Sequence, residues 1–351
     1  MRHTADFPVE DGSRRFGLRA VRDGRPPETI AISMATYNGA AYLGQQLDSI
    51  AGQSFDDWHL WVRDDASTDG TPEILEAFAA AYPDRVTVLA DKDGRLGVAG
   101  NFGRAAAAND APYVAFSDQD DVWRPDRLEQ ALEAMRTLEA RHPPETPVLV
   151  HADRRLIDGA GREITGSYWG SRGFDAAGYD LGNALVTTLA AGAAMLVNRP
   201  LLTRGMPLPE GFPVHDAWFE LIAHGLGVVG VIDGIALDWR RHGANTSGAT
   251  TDGDSPAARR FCARASRLLR NLDRQRRIYA GQFRRAETFR AVFGDDLNAE
   301  VRARLDRFLA LPGRTPLARL NAMLTGGPGP QGVARRLAFA ALCGARHTPP
   351  H

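Results

Sequence analysis

The sequence predicts an α/β fold, a mostly parallel sheet flanked by helices, with a C-terminal helical appendage. Three observations carry this reading. Short apolar runs alternate with helix-period segments four times between Ile30 and Leu138. The polar and acidic clusters follow those apolar runs directly, so they gather at the C-terminal edge of the predicted sheet, where open α/β sheets bind ligands. From Arg259 to Arg346 the composition turns arginine-rich and helical, with 19 arginines against 6 acids.

Residues 1–28 are polar, carry scattered Gly, Pro and Arg, show no period, and read as a mobile arm. Ile30 to Ala35 is a buried strand and Thr36-Tyr37-Asn38-Gly39 the turn that leaves it. Leu43, Leu47 and Ile50 then share one face of a helix. Trp58 to Val62 is the second strand, running into Arg63-Asp64-Asp65-Ala66-Ser67-Thr68-Asp69-Gly70. Thr71-Pro72-Glu73 opens the next helix with a cap, a proline at the first helical position and an acid near the positive end of the dipole. Val86 to Leu89 is a strand, Val98 to Ala108 a short helix, and Tyr113 to Phe116 the fourth strand. Pro125-Asp126 starts a long helix with Leu128, Leu132, Met135 and Leu138 inward. Right-handed crossovers between such units make this half of the sheet parallel.

Beyond that helix the alternation gives way to a mixed architecture. Val148 to Asp153 is a strand, and Gly159 to Tyr179 is irregular and rich in glycine and aromatics. Ala193 to Val197 reads as a strand, Val214 to His224 as a helix, and Val228–Ile232 and Ile235–Trp239 as two short strands. The α/β domain spans 29–248, Gly248 to Pro256 is a linker by composition, and an arginine-rich helical region covers 257–351. In that region Ala257 to about Leu311 and Thr315 to Leu324 are helical, and a last helix runs to about Cys343.

Bulk properties narrow the class. At 351 residues, 44% apolar and 24% charged, the chain has an ordinary globular composition and a formal charge of −1. Its two cysteines, Cys262 and Cys343, exclude a disulfide framework and a cysteine-rich metal site, and point to a reducing compartment. No apolar segment follows Met1-Arg2-His3, and the weakly polar run from Ala184 to Val197 is too short to span a bilayer. The expectation is a cytoplasmic protein, with a membrane surface as one further location. No G-x-G-x-x-G follows the first strand, which argues against a dinucleotide site.

The densest chemistry lies in Phe116-Ser117-Asp118-Gln119-Asp120-Asp121-Val122-Trp123. Three carboxylates in four residues repel one another unless positive charge joins them. A Mg²⁺ or Mn²⁺ ion, sharing its ligands with substrate phosphates, meets that need; a solvated acidic turn is the plainer alternative. Asp64 and Asp65 end the second strand and Thr36, Tyr37 and Asn38 the first, so all three groups share one sheet edge. A nucleotide suits the set. A carboxylate can accept a pyrimidine N–H, an aromatic can stack on the base, and metal-bound acids can hold a diphosphate.

The stretches Ile32 to Gly39, Val62 to Thr71 and Phe116 to Leu128, with the order and separation they have here, resemble glycosyltransferase family 2, in its rhamnosyltransferase-like branch. The resemblance covers roughly residues 29–248. It implies a GT-A fold, a nucleoside-diphosphate sugar donor (dTDP- or UDP-linked), a divalent metal, inversion at the anomeric carbon, and a glycan or lipid-linked acceptor in cell-surface polysaccharide synthesis. By the same resemblance Thr36, Tyr37, Asn38 and Asp65, with Asp64 beside it, hold the nucleoside. Asp118 and Asp120 form the D-x-D pair, with Asp120 the direct metal ligand. Asp216, in His215-Asp216-Ala217-Trp218, takes the place of the base that deprotonates the acceptor, and a helix N-terminus there favours its ionised form. Its alternative is a helix cap. Arg240 to Asn245 is similar to the family's closing motif, which puts Arg241 and His242 on the diphosphate or the metal, a basic turn being the alternative.

Two positions depart from the family pattern: Arg95-Leu96-Gly97 stands where Asn-Leu-Gly is usual, and Ala191-Gly192-Ala193 where Thr-Gly-Cys is. Donor sugar, acceptor and linkage therefore stay open, as does the oligomeric state. A non-catalytic nucleotide- or glycan-binding module on the same fold is the competing expectation, and a metal phosphohydrolase or nucleotidyltransferase a third. For the basic helices, packing on the catalytic domain or a dimer, lying on anionic lipid, and binding a polyanion are the three readings. Arg270, Arg274 and Arg277 share a face opposite Leu268, Leu269 and Leu272. No aromatic–basic interleaving favours nucleic acid.

Overall fold

The computed structural model describes residues 29–90, 93–209, 212, 215–243 and 262–344. The expected arm (1–28) and the linker (248–256) lie outside the described residues.

In chain order the elements are β1 (Ile30–Thr36), α1 (Ala40–Ala51), β2 (Trp58–Asp64), α2 (Thr71–Ala81), β3 (Val86–Val88), α3 (Gly97–Ala107) and β4 (Tyr113–Ser117). There follow β5 (Val122–Trp123), α4 (Arg127–Glu139), β6 (Val148–Asp158), β7 (Glu163–Thr165), α5 (Tyr168–Arg172), α6 (Leu181–Ala184), β8 (Met195–Asn198) and α7 (Arg199–Gly205). Then come α8 (His215–Leu226), β9 (Val228–Arg241), α9 (Cys262–Phe293), α10 (Ala299–Leu309), α11 (Pro316–Leu324) and α12 (Val333–Leu342).

One sheet runs β3-β2-β1-β4-β8-β6-β9-β5, with β7 pairing with β6 off this path. β3, β2, β1 and β4 are parallel, as the four strand–helix units predict. The second half is mixed, because β8 runs antiparallel to both β4 and β6 while β6 and β9 are parallel. This is a GT-A-type α/β architecture. The apolar runs form its middle: Ile30, Ile32, Leu60, Val114 and Phe116 are all sealed from solvent. Leu43, Leu47 and Ile50 of α1, and Leu128, Leu132 and Met135 of α4, close the face that their period predicts.

Three local expectations change. The two short strands Val228–Ile232 and Ile235–Trp239 are one strand, β9, whose pairing shifts beside Ala152 and Asp153. Asp233 and Gly234, the pair that looks like a turn in sequence, is absorbed as an irregularity, with Gly234 at φ 112°. β6 continues beyond Asp153 to Asp158, because β7 and β9 pair with its second half. The helical stretch expected from Ala257 to Leu311 breaks at residues 294–298, where Asn298 Oδ1 accepts from the Val301 N–H (2.9 Å) and caps α10.

The arginine-rich helices dock on the α/β unit. Phe289, Phe308 and Phe339 are fully buried and belong to the same apolar cluster as Trp218 and Phe219 of α8. The Trp218 ring lies 6.0 Å from that of Phe289 and 5.5 Å from that of Phe293. Of the three readings of this region, packing against the domain is the one these contacts display. Among the described residues no helix is long and apolar enough to cross a membrane.

Candidate active site

Three loops meet at the C-terminal edge of β1, β2 and β4. Thr36 is buried at the end of β1, and its hydroxyl donates to Asp64 Oδ1 (2.8 Å). Asp64 also accepts from the hydroxyl and backbone N–H of Ser67 (2.6 and 2.7 Å). Asn38 sits at φ 48° and Ala66 at φ 63°, a region that non-glycine residues occupy at a cost. Hydrogen bonds across the loops hold Asn38 there: its N–H donates to Ser67 Oγ (2.7 Å), and its Oδ1 accepts from the Thr68 N–H (2.8 Å). Gln119 joins the acidic loop to the first turn, accepting from the Tyr37 N–H (2.7 Å) and donating to the Tyr37 carbonyl (3.0 Å).

Asp65 is buried and anchors the loop before α3. It accepts from the Leu96 and Gly97 N–H groups (2.6 and 2.9 Å) and pairs with Arg63 (2.8 Å). Burial pushes its carboxyl up, but these donors outweigh burial and hold it below the usual carboxylate range. The same loop lays the Arg95 guanidinium 3.8 Å from the centre of the Tyr37 ring. Of the proposed nucleoside residues, then, Thr36 and Asp64 bond to each other, Asp65 is spent on the chain itself, and Tyr37 has one face covered by arginine.

In the acidic loop Asp118, Asp120 and Asp121 have three different surroundings. Burial first, then the charges of Asp120 and Asp216, push Asp118 up to about 7 against the pull of Arg154. Asp120 Oδ2 lies 2.8 Å from His242 Nε2. Asp121 is fully buried and accepts from the Arg240 N–H (3.1 Å), while its Oδ2 has no hydrogen-bond partner. Burial and its two acidic neighbours raise it well above the ordinary value.

The arginine that fastens this loop is Arg240. Its Nε donates to the Asp120 carbonyl (2.9 Å) and its Nη2 to Gln45 Oε1 (2.6 Å), with the guanidinium 4.8 Å from the Tyr42 ring centre. Sequence reading chose Arg241, one residue on; consecutive residues of a strand face opposite sides, so β9 turns the two side chains apart. His242 follows at the strand end, its ring 4.7 Å from that of Tyr42.

Asp216 lies in the first turn of α8, half-buried, and its Oδ1 accepts from the Ala217 N–H (2.6 Å). Its charge is felt by Asp118, Arg154 and Arg285. His215 is different. Its ring is wedged 4.4 Å from both Phe102 and Phe116, neither ring nitrogen has a partner, and burial lowers it to about 4. It is a neutral packing group. Gly192 makes room for it, since a Cβ there would stand 2.5 Å from His215 Nε2.

Residues 31–195 match the family model described as Glycosyl transferase family 2. The stretch is a glycosyltransferase family 2 domain. Over 105 residues, 29% of this chain and 36% of the relative, it is 37% identical to the dTDP-rhamnosyl transferase RfbG of Shigella flexneri. Over 106 residues, 30% of this chain and 41% of the relative, it is 33% identical to TuaG of Bacillus subtilis, a putative teichuronic acid biosynthesis glycosyltransferase. The chain thus spans 36 to 41% of the length of these curated relatives. Among solved structures, TarS of S. aureus in complex with UDP-GlcNAc superposes with a TM-score of 0.53 and 18% identity, over 81% of this chain and 70% of that one. That likeness is one of fold.

The family 2 domain offers oxygen and imidazole donors suited to a hard divalent cation: Asp118, Asp120 and His242. Asp118 is raised by burial first and by the charges of Asp120 and Asp216 next, and a cation beside it would offset both. Among the described residues no three His, Cys, Asp or Glu side chains stand ready as a metal cluster. The protein ligands would therefore be few, and substrate oxygens and water would complete the shell.

Sequence reading passed over Gln119, Ser67, Arg240 and Arg154. Gln119 had a legible signal, since a neutral residue centred in an acid loop can donate and accept at once. The other three depend on which loops approach, which pattern does not encode.

Proposed function

We propose that this chain transfers a sugar from a nucleoside-diphosphate donor to a glycan or lipid-linked hydroxyl, with inversion, in polysaccharide synthesis. One observation carries the reading: the loops after β1, β2 and β4, within the stretch that matches glycosyltransferase family 2, meet at one sheet edge where His242 closes on Asp120 at 2.8 Å, with the charge of Asp216 acting on Asp118. In this reading donor-holding and acceptor-activating groups share one site, as a single displacement needs.

The acceptor hydroxyl gives its proton to Asp216 as its oxygen bonds to the anomeric carbon. The bond from that carbon to the diphosphate oxygen breaks on the opposite face, and the nucleoside diphosphate leaves with the electron pair. Of Asp118, Asp120 and His242, those that reach a Mg²⁺ or Mn²⁺ ion would hold it together with substrate oxygens and water, and the ion when bound neutralises the departing diphosphate. In this reading Thr36, Tyr37, Asn38, Asp64 and Asp65 frame the nucleoside, and Arg241 would be drawn to the diphosphate when the donor binds. The name of the relative RfbG makes dTDP-rhamnose the first donor to try, with UDP-sugars next.

Exposed Leu317 and Leu324 on α11 and Val333 on α12, the last beside Arg335 and Arg336, support a peripheral contact with anionic membrane at the cytoplasmic face. Flotation with vesicles of phosphatidylglycerol tests it; equal recovery of wild type and a Leu317→Glu, Leu324→Glu variant removes the idea.

The deciding experiment follows nucleoside diphosphate release from dTDP- and UDP-sugars with Mn²⁺. Asp216→Asn should abolish release while nucleotide affinity stays within about twofold, the pattern for a group needed in the transition state. Nucleotide binding without turnover in the wild type would favour a binding module, and release of inorganic phosphate or nucleoside monophosphate a hydrolase.

A further inference from the structure

Arg154 lies in the middle of β6 and is 9% exposed. Its guanidinium carbon sits 4.1 Å from the Tyr168 ring centre and 4.7 Å from that of Trp239. Two aromatic residues, one from α5 and one from β9, thus fix the cation in place. Yet its Nε and Nη1 are buried with no hydrogen-bond partner. A buried guanidinium kept only for packing is costly, and proteins ordinarily satisfy such groups. This one stays unsatisfied among Asp118, Asp121, Asp153 and Asp216, whose charges it feels. Asp121 Oδ2 is likewise buried and unpartnered.

The carboxylates around Arg154 come from both sides of the site. Asp118 and Asp121 belong to the loop after β4, on the donor side of the proposed reaction. Asp216 opens α8, on the acceptor side. Arg240 is already committed to the Asp120 carbonyl and Gln45, and His242 to Asp120. Asp118 feels the charge of Arg154, and Arg154 in turn feels that of Asp216.

Resting on the transferase reading above, we propose that Arg154 is a positioning residue for transfer: clamped by Tyr168 and Trp239, it is the fixed cation that holds the acidic loop and Asp216 in one working arrangement. A preorganised charge in a water-poor site acts without reorganising during the reaction. Arginine suits the place because its flat, delocalised cation can lie against two rings, which an ammonium group does less well.

The test compares wild type, Arg154→Met and Arg154→Lys in nucleoside diphosphate release from the active sugar nucleotide, with nucleoside diphosphate affinity and melting temperature measured alongside. Arg154→Met should lower kcat by about a hundredfold or more, with donor KM and nucleotide affinity within about threefold. Arg154→Lys should recover part of the loss. Tyr168→Leu, which opens one side of the clamp, should lower kcat in the same sense and serves if Arg154→Met does not fold. A kcat within threefold of wild type in Arg154→Met, or in Tyr168→Leu where that serves, overturns the proposal while leaving the transferase reading intact. So does a loss of affinity as large as the loss of kcat, which marks a structural role. A wild type that turns over no sugar nucleotide overturns both.

Discussion

His242 Nε2 and Asp120 Oδ2 stand 2.8 Å apart, joining the end of β9 to the loop after β4, each side chain about 15% exposed. Residues 122 apart in sequence thus meet at the proposed diphosphate site. If the pair holds a metal, EDTA should abolish sugar transfer and Mn²⁺ restore it. His242→Ala should then weaken Mn²⁺ binding by at least about tenfold, read by titration with nucleoside diphosphate present. Full activity in EDTA would reduce the pair to an ordinary hydrogen bond.

Arg95 covers one face of Tyr37 at 3.8 Å. A base stacking on that face has to displace an exposed guanidinium, whose hold is worth about 0.5–1 kcal/mol. Arg95→Asn should therefore tighten UDP or dTDP binding by about two- to fivefold. Weaker binding in the variant would mean that the guanidinium itself contacts the nucleotide.

Phe289 is fully buried between α8 and the C-terminal helices, its ring 6.0 Å from Trp218. Phe289→Ala should cost about 3–5 kcal/mol in urea unfolding, with one cooperative transition retained. Two separated transitions, the first unmoved by the substitution, would show the helices to be an independent unit.

His224 is held down to about 4, chiefly by burial, against an ordinary 6.5, and its Nε2 has no partner. Between those values the unfolded chain binds a proton that the folded chain refuses. This contribution to stability is complete above pH 6.5 and is lost as pH falls toward 4. His224→Gln should therefore lose less stability than wild type over that window, by about 1.4 kcal/mol for each step of one in pH. Parallel curves for the two proteins would show that His224 accepts its proton while folded.

How far the sequence reached depends on the range of the interactions involved. The parallel half of the sheet was legible because an apolar run and a helical period are local patterns, and β1 to β4 follow them closely. β5, only two residues long, carries no period to detect. Val228 to Trp239 divided in sequence because Asp233-Gly234 resembles a turn; pairing with β6 overrides that local preference.

By itself the sequence determined where the carboxylates collect, since residues that follow strands of a parallel sheet necessarily arrive at one edge. Tertiary structure alone decided which of them work together. Asp65 spends its oxygens on Arg63 and the loop before α3, Asp120 meets His242, and Arg240 reaches the acidic loop. Those choices rest on side-chain direction and on approaches between distant loops, and charge in a buried site depends on distance and solvent exclusion, which no local pattern contains.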